Sequence, residues 1–385
     1  MAALRTTAPV TRRIVFWEPI DSPHKAGLFS ALARLAPDCS IVHCADRGLG
    51  ADYAALGWQG EDNCADGVET LVAPGTAVVH EIAAARPQES LHVFSGTRWV
   101  PTIVEGLRAV RRAGARFAIM SEPRVREGWK GELRFLQSWL TERALRRRVS
   151  FVLAIGRNGP PWFTSVGYAG ERVFPYAYFV DPPRCEAAPT DPSIDRSKLQ
   201  IGYLGRLVEE KGIFDIVRSA ALLADDCQLH VAGGGPEEAR LRGMAKELHA
   251  PVTFHGVIPM PNVGRLLSAL DVLVLASTTK DDGWGVVVSE ALMCGTAAIA
   301  TDRVGASLVL DVPERGRVVP AGRPDRIADA VRELAASGVL KTSSRSARAA
   351  WARSALSASA GAAYLLKVIA WSEGRAPRPA AFHLQ

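Results

Sequence analysis

The sequence predicts an α/β protein of two domains, each a doubly wound parallel sheet. Three observations carry this. Short β-rich runs alternate with longer stretches of helical spacing, the pattern of βαβ units. The alternation stops once, at 181–198, where DPPRCEAAPTDPSIDRSK carries four prolines and little apolar content, and then restarts. At roughly 100–200 residues per domain, a chain of 385 has room for two cores. The expected domains are 1–180 and 199–365, with 181–198 as linker and 366–385 as a C-terminal helix and tail.

In the first half, Arg13–Trp17 (RIVFW) reads as a strand and Glu18–His24 as the loop that ends it. Lys25–Leu35 has helical spacing at Leu28, Leu32 and Leu35. Ser40–Cys44, Ser90–Phe94, Arg116–Met120 and Phe151–Ile155 are further strands, and Val173–Pro175 leads into Tyr176–Val180. A helical pattern fills the space up to Arg112, and Glu132–Val149 reads as one helix.

In the second half, the strands are Gln200–Leu204, Gln228–Ala232, Val252–His255, Asp271–Leu275 and Ala297–Thr301. The helices are Ile213–Leu223, Pro236–His249, Val263–Leu270, Gly285–Cys294, Arg323–Ser337 and one long Ala-rich helix, Ser344–Trp371. Pro236 suits a first helical position, with Glu237 and Glu238 favouring the positive end of the dipole.

Composition narrows the class. Hydrophobic residues are 48% and charged ones 22%, which excludes a disordered tail, a collagen-like rod or a disulfide mini-domain. Forty-six basic residues against forty acidic ones leave +6, a mild charge compatible with an anionic partner. No groove-reading motif points to nucleic acid. The six cysteines form no C-x-x-C pair and are expected as reduced thiols of a cytosolic protein. Met1–Arg13 lacks an apolar stretch, so no secretory signal is expected. No run reaches the ~18 apolar residues of a membrane span.

Several constellations carry chemistry. Gly205-Arg206-Leu207-Val208-Glu209-Glu210-Lys211-Gly212 follows a strand and opens a helix, where backbone N–H groups and the dipole meet an incoming anion. Arg206 offers a planar fork of donors and Lys211 a mobile point charge; together they can hold a diphosphate. Gly233-Gly234-Gly235 sits at a similar junction, but Glu238 stands where a dinucleotide fingerprint needs its third glycine, so a tight turn is expected and NAD is not.

Asp282-Gly283-Trp284-Gly285-Val286-Val287-Val288-Ser289-Glu290 places two carboxylates around a glycine-rich loop. Glu290 lies among Val288, Ala291, Leu292 and Met293, a costly place for an unpaired charge. Both carboxylates can accept hydrogen bonds from sugar hydroxyls, and Trp284 either packs beneath the loop or stacks on a ring.

In the first half, Glu122, the segment Ser95-Gly96-Thr97 and the segment from Asp21 to His24 each follow a strand, where open α/β sheets bind ligands. Glu132–Val149 combines Leu133, Leu136, Leu140, Leu145 and Trp139 with Arg143, Arg146, Arg147 and Arg148. This is either a basic amphipathic helix that lies on anionic lipid or a core helix with a solvated basic face.

At these residues the second half resembles a retaining glycosyltransferase of family 4, of the bacterial polysaccharide-biosynthesis type. The resemblance runs through GRLVEEKG, HVAGGGPEE, VTFHG, DVLVLAS, DGWGVVVSEALMCG and AAIATD. RFAIMSEP, the basic helix, FVLAIG and VFPYAYFVD look like the acceptor-side domain of such enzymes. The resemblance implies the GT-B fold, two Rossmann-like domains facing a central cleft, with the last helix packing back on the first.

It also implies roles. Arg206 and Lys211, with Gly205, would bind the donor diphosphate, and Glu290 the donor ribose. Asp282 would stand near the transferred sugar, in place of the family's Glu and one methylene shorter. Gly283, Trp284 and Gly285 would offer backbone N–H groups, and Val257 and Ile258 would lie near the base. From their places after strands, Glu122 joins Arg206, Lys211 and Asp282 as a catalytic candidate, and Asp21, His24, Ser95 and Gly96 are the acceptor-side candidates.

The donor is expected as a UDP- or GDP-linked sugar, and the acceptor as a saccharide or lipid-linked saccharide. No metal is expected to be obligatory, since no D-x-D triplet is present. The alternatives are another GT-B enzyme, a sugar-nucleotide 2-epimerase or phosphorylase, or a non-catalytic nucleotide-binding scaffold.

Overall fold

The structure, a computed structural model, describes residues 10–50, 65–185, 196–280 and 283–384. These fall into two compact units. Among the described residues, the first comprises 10–49, 65–176 and 358–384, and the second Gly50, 177–185, 196–280 and 283–357.

The first unit is built on seven strands: β1 (Arg13–Glu18), β2 (Ser40–Ala45), β3 (Val68–Val72), β4 (Ser90–Ser95), β5 (Arg116–Ser121), β6 (Val152–Ile155) and β7 (Val173–Tyr176). They form one sheet in the order β3-β2-β1-β4-β5-β6-β7, every pair parallel. Val15 sits opposite Val42 on one side and His92 on the other. β1 is buried along its whole length, which is why it reads as an almost unbroken apolar run.

The helices are α1 (Pro23–Leu35), α2 (Thr76–Ala84), α3 (Pro101–Arg112), α4 (Gly128–Thr141), α5 (Arg143–Arg148) and α6 (Gly159–Ser165). β3, α2 and α6 have no counterpart in the sequence reading. β3 is a half-exposed edge strand with a weak apolar pattern.

The single helix expected over 132–149 is two helices, parted at Glu142. Its carboxylate is drawn inward, accepting from Tyr168 Oη at 2.9 Å and Arg98 Nη2 at 3.0 Å. That anchoring turns the backbone out of the helix.

The second unit has β8 (Leu199–Leu204), β9 (Cys227–Ala232), β10 (Val252–Gly256), β11 (Val272–Leu275), β12 (Ala297–Thr301) and β13 (Gly316–Val319). Their order is β10-β9-β8-β11-β12-β13, again all parallel. Its helices are α7 (Ile213–Leu223), α8 (Glu238–Glu247), α9 (Met260–Ala269), α10 (Val286–Met293), α11 (Pro324–Ala336) and α12 (Thr342–Leu356). α8 starts later than expected, leaving Pro236 in the preceding turn, where Glu237 N donates to Leu207 O at 3.2 Å.

The Ala-rich helix expected over 344–371 breaks at Ser357, which is extended and bridges to Val180. The continuation, α13 (Ala358–Ser372), belongs to the first unit and packs on α1. The chain therefore returns to the first unit at Ala358, not at 366, and the units divide after Tyr176 rather than at 180.

The expectation of six reduced thiols is corrected. Cys185 and Cys294 form a disulfide, their Cα atoms 5.5 Å apart across 109 residues of sequence. Residues 183–185 lie against α9, where a Cβ on Gly264 would stand 2.5 Å from Arg184 O. This brings Cys185 to Cys294 at the end of α10. Among the described residues Cys39, Cys44 and Cys227 are free, and Cys64 lies outside them. The argument for a cytosolic compartment thereby loses its premise. Among the described residues, no helix is long and apolar enough to cross a membrane.

Candidate functional site

Open parallel sheets bind ligands beyond the carboxyl ends of their strands, where the strand order reverses. In the second unit that point lies between β8 and β11. Two loops flank it. The first, after β8, is pinned by Gly205 N to Ala232 O (3.0 Å), Tyr203 Oη to Arg206 O (2.6 Å) and Leu207 N to Gly234 O (2.9 Å). Arg206 is exposed on this loop and Lys211 is half-buried at its end, in a single 3-10 turn.

Gly212 then adopts φ +65°, and a Cβ there would stand 1.9 Å from Ala276 O. The second loop, after β11, is tied to the first by Thr278 N to Glu210 O at 2.8 Å. The two cations thus sit on a loop that is fixed on both sides.

The three glycines after β9 have a packing role. A Cβ on Gly233 would lie 1.9 Å from Gly205 O, and one on Gly235 would lie 2.4 Å from Leu207 O. They let one loop seat directly on the other, as a tight turn. Val257, exposed, and Ile258, half-buried, follow β10 on the same carboxyl edge.

Asp282 lies outside the described residues. Gly283 and Trp284 are buried, and the Trp284 Nε1 donates to Ser289 Oγ at 2.9 Å. The indole packs beneath the loop, and stacking on a ligand ring is ruled out. Ala306 N donates to Trp284 O at 2.7 Å, and Gly285, left-handed, opens α10.

Glu290 lies just beyond the first turn of α10. The residue keeps part of its surface exposed, yet burial alone pushes its carboxyl up to about 7. No charge or hydrogen bond from the described residues offsets that cost. A buried carboxyl with no offsetting charge among the described residues is a candidate for a functional role.

In the first unit the strand order reverses between β1 and β4. Here the structure adds residues that the sequence reading missed. Glu18 is the last residue of β1, not loop, and its carboxylate meets Lys25 Nζ at 2.9 Å in a largely buried pair. His43 Nδ1 lies 3.8 Å from Asp21 Oδ1, and burial lowers its pKa against the opposing pull of Glu18 and Asp21. Burial takes His24 down to about 4, so it is neutral at physiological pH.

Gly96 N donates to Met120 O at 3.1 Å, linking the ends of β4 and β5, with Ser95 half-buried beside it. Glu122, half-buried, follows β5. Glu18 and Lys25 stand seven residues apart, and the one signal for them was a charge closing an apolar strand. A chain across β8, β9 and β10 was also missed: His230 bridges Gln200 Oε1 (2.8 Å) and His255 Nε2 (2.9 Å). Among the described residues, no cluster of three or more His, Cys, Asp or Glu can hold a metal.

Residues 186–353 match the family model described as Glycosyl transferases group 1. A 2-deoxystreptamine glucosyltransferase of Streptomyces kanamyceticus is 30% identical over 208 residues, which is 50% of this chain and 51% of that protein. A GDP-mannose-dependent monoacylated alpha-(1-6)-phosphatidylinositol monomannoside mannosyltransferase of Corynebacterium glutamicum is 29% identical over 163 residues, 38% of this chain and 42% of that protein. The chain spans about half the length of the first curated relatives it matches.

Among solved structures, Anabaena HepE in complex with UDP aligns with TM-score 0.73 over 93% of this chain and 100% of that chain, at 17% identity. A sucrose-phosphate synthase from Thermosynechococcus elongatus aligns with TM-score 0.67 over 93% of this chain and 98% of that one, also at 17% identity. The likeness establishes the fold: two parallel Rossmann-like sheets of the GT-B kind.

Proposed function

From the premise that residues 186–353 carry a glycosyl transferases group 1 domain, we propose that this chain transfers a hexose from a nucleoside-diphosphate donor to an acceptor hydroxyl, with retention at the anomeric carbon. The observation that carries the reading is Glu290: a carboxyl raised by burial, with no offsetting charge among the described residues, on the helix that opens from the loop after β11. Ribose hydroxyls are the donors that suit it.

Arg206 and Lys211 would then meet the diphosphate and stabilise the charge that grows as the sugar leaves. Gly205 lets the loop turn toward it. Gly283, Trp284 and Gly285 would offer N–H groups, Asp282 would hold the sugar, and Val257 and Ile258 would line the base. The departing phosphate oxygen would take the proton of the attacking hydroxyl on the same face, so no enzyme nucleophile is required. Orientation is then the protein's main contribution.

The UDP and UDP-glucose complexes of HepE, and the GDP-mannose dependence in a relative's name, support a UDP- or GDP-linked donor. Glu122, Asp21, His24, Ser95 and Gly96, now joined by Glu18 and Lys25, are the acceptor-side residues of this reading. The acceptor would be a saccharide or lipid-linked saccharide in surface-polysaccharide assembly. No metal is obligatory in the mechanism proposed.

The test is thermal unfolding of the whole chain against UDP, GDP, ADP, dTDP and NAD, followed by product analysis with the matching nucleotide sugar. A diphosphate that raises the melting temperature in the parent chain but not in Glu290→Ala supports the site. Conversion of the nucleotide sugar without any acceptor would favour an epimerase, and binding without turnover a scaffold. Loss of transfer in a chelator would overturn the metal-independent route.

A further inference from the structure

α4 has two faces. Gly131, Phe135 and Ser138 turn inward, Phe135 packing edge-on to Trp162. Trp129, Leu133, Leu136 and Leu140 recur at i, i+4, i+7 and i+11 on the other side, and all are exposed, with Trp139 beside them. The stripe that a core helix would bury is the one in water. Nearby Trp99 is 85% exposed. Contiguous apolar surface of this kind marks an interaction site.

The stripe ends where positive charge begins. Arg98 Nη2 donates to Thr141 Oγ1 at 2.5 Å, next to Leu140. A recess of about 220 Å³ runs from Thr97, Arg98 and Thr141 to Arg108 and Arg111. Those two arginines also line an adjoining open recess of about 370 Å³ with Arg112 and Arg148. Arg148 donates both terminal nitrogens to Arg111 O at 3.3 Å, which holds the group together. Arg111 Nε is buried and has no acceptor among the described residues. Two carboxylates face this group: Glu105, 3.5 Å from Arg108 and 4.0 Å from Arg112, and Glu142, which lines the smaller recess and pairs with Arg98.

We propose that this face of the first unit docks on an anionic phospholipid bilayer, with the α4 stripe entering the interface and a lipid phosphate seated in the arginine-lined recess. Charge complementarity selects that occupant. Guanidinium forks match phosphate oxygens in pairs, and an apolar stripe flanked by cations is the pattern of a helix lying in a headgroup layer. The inference rests on this surface alone and stands or falls separately from sugar transfer.

The experiment is co-sedimentation of the full chain with vesicles of phosphatidylcholine, or of phosphatidylcholine with about one-third phosphatidylglycerol, at low and physiological salt. Binding at least tenfold tighter to the anionic vesicles is expected, weakening with salt. Leu133→Ser with Leu136→Ser, and separately Arg108→Gln with Arg112→Gln, should each reduce it at least tenfold without lowering the melting temperature, since all four side chains are exposed. Equal affinity for both vesicle types, or variants that bind like the parent, would overturn the proposal. So would self-association that Leu133→Ser abolishes in a chain that ignores vesicles, which assigns the stripe to a second copy. Protection by inorganic pyrophosphate without vesicle binding would assign the recess to a soluble anion.

Discussion

Glu290 carries a pH signature. Its folded pKa of about 7 lies above the ordinary glutamate value, so the folded state favours the protonated form. Its contribution to stability is fully present below the unfolded pKa and is lost as pH rises through about 7, by up to ~3 kcal/mol. Glu290→Gln should flatten that part of the stability–pH curve, measured by denaturant unfolding, while abolishing the nucleotide-induced shift. Arg206→Ala should instead leave stability unchanged, and either Arg206→Ala or Lys211→Ala should cost roughly 10²–10³ in turnover. Near-parental rates for Lys211→Ala would remove it from the mechanism.

These three residues were legible in the sequence because each stands at a fixed distance from a strand or helix end. Glu18 and Lys25 were not. Their pairing depends on β1 running one residue further than its apolar letters suggest, and a charge after an apolar run looks like the start of a loop.

At the scale of elements, the loops around β8 and β11 depend on close backbone approach. Gly212→Ala adds a Cβ where φ is +65° and Ala276 O stands 1.9 Å away, so a loss of about 2 kcal/mol or more is expected in urea unfolding. The strands and most helices were readable because alternation and spacing are local properties. The breaks at Glu142 and Ser357 were not, since both continue a helical pattern and are imposed from elsewhere, by Tyr168 and Arg98 in one case and Val180 in the other. The Cys185–Cys294 pair was hidden by 109 intervening residues.

α13 ends at a polar knot. The buried Glu373 carboxylate accepts from Thr11 N at 2.6 Å, Thr11 Oγ1 at 2.5 Å, Arg116 Nη1 at 3.1 Å and Arg375 Nε at 2.7 Å. Burial alone would raise this carboxyl, but the bonds from Thr11, Arg375 and Arg116 outweigh it and hold it below the ordinary value. That stability is present above the unfolded pKa and lost as pH falls through the folded one. Glu373→Ala removes the shared acceptor of Thr11, Arg116 and Arg375 and should lower stability by roughly 1–3 kcal/mol, read as an earlier thermal transition.

At the scale of the molecule, two doubly wound sheets were legible because a parallel sheet buried on both faces writes itself as repeated apolar runs, and this chain does so twice. What the pattern concealed is how the chain is shared out. The first unit is discontinuous: α1 is made before the second unit, and α13, which covers it, is made after it. A chain ending at Ser357 should therefore show two calorimetric transitions, the second unit melting as before and the first at lower temperature; one unchanged transition would contradict this.

The same arrangement sets an order of events on the ribosome. Domains generally fold as they emerge, first-made first. Here the half that is translated first is finished last. It waits with the face of α1 that α13 covers still open while the whole of the second unit is made and closes. The nascent chain should accordingly be a chaperone client through the part that precedes the second unit, released only once α13 has left the exit tunnel.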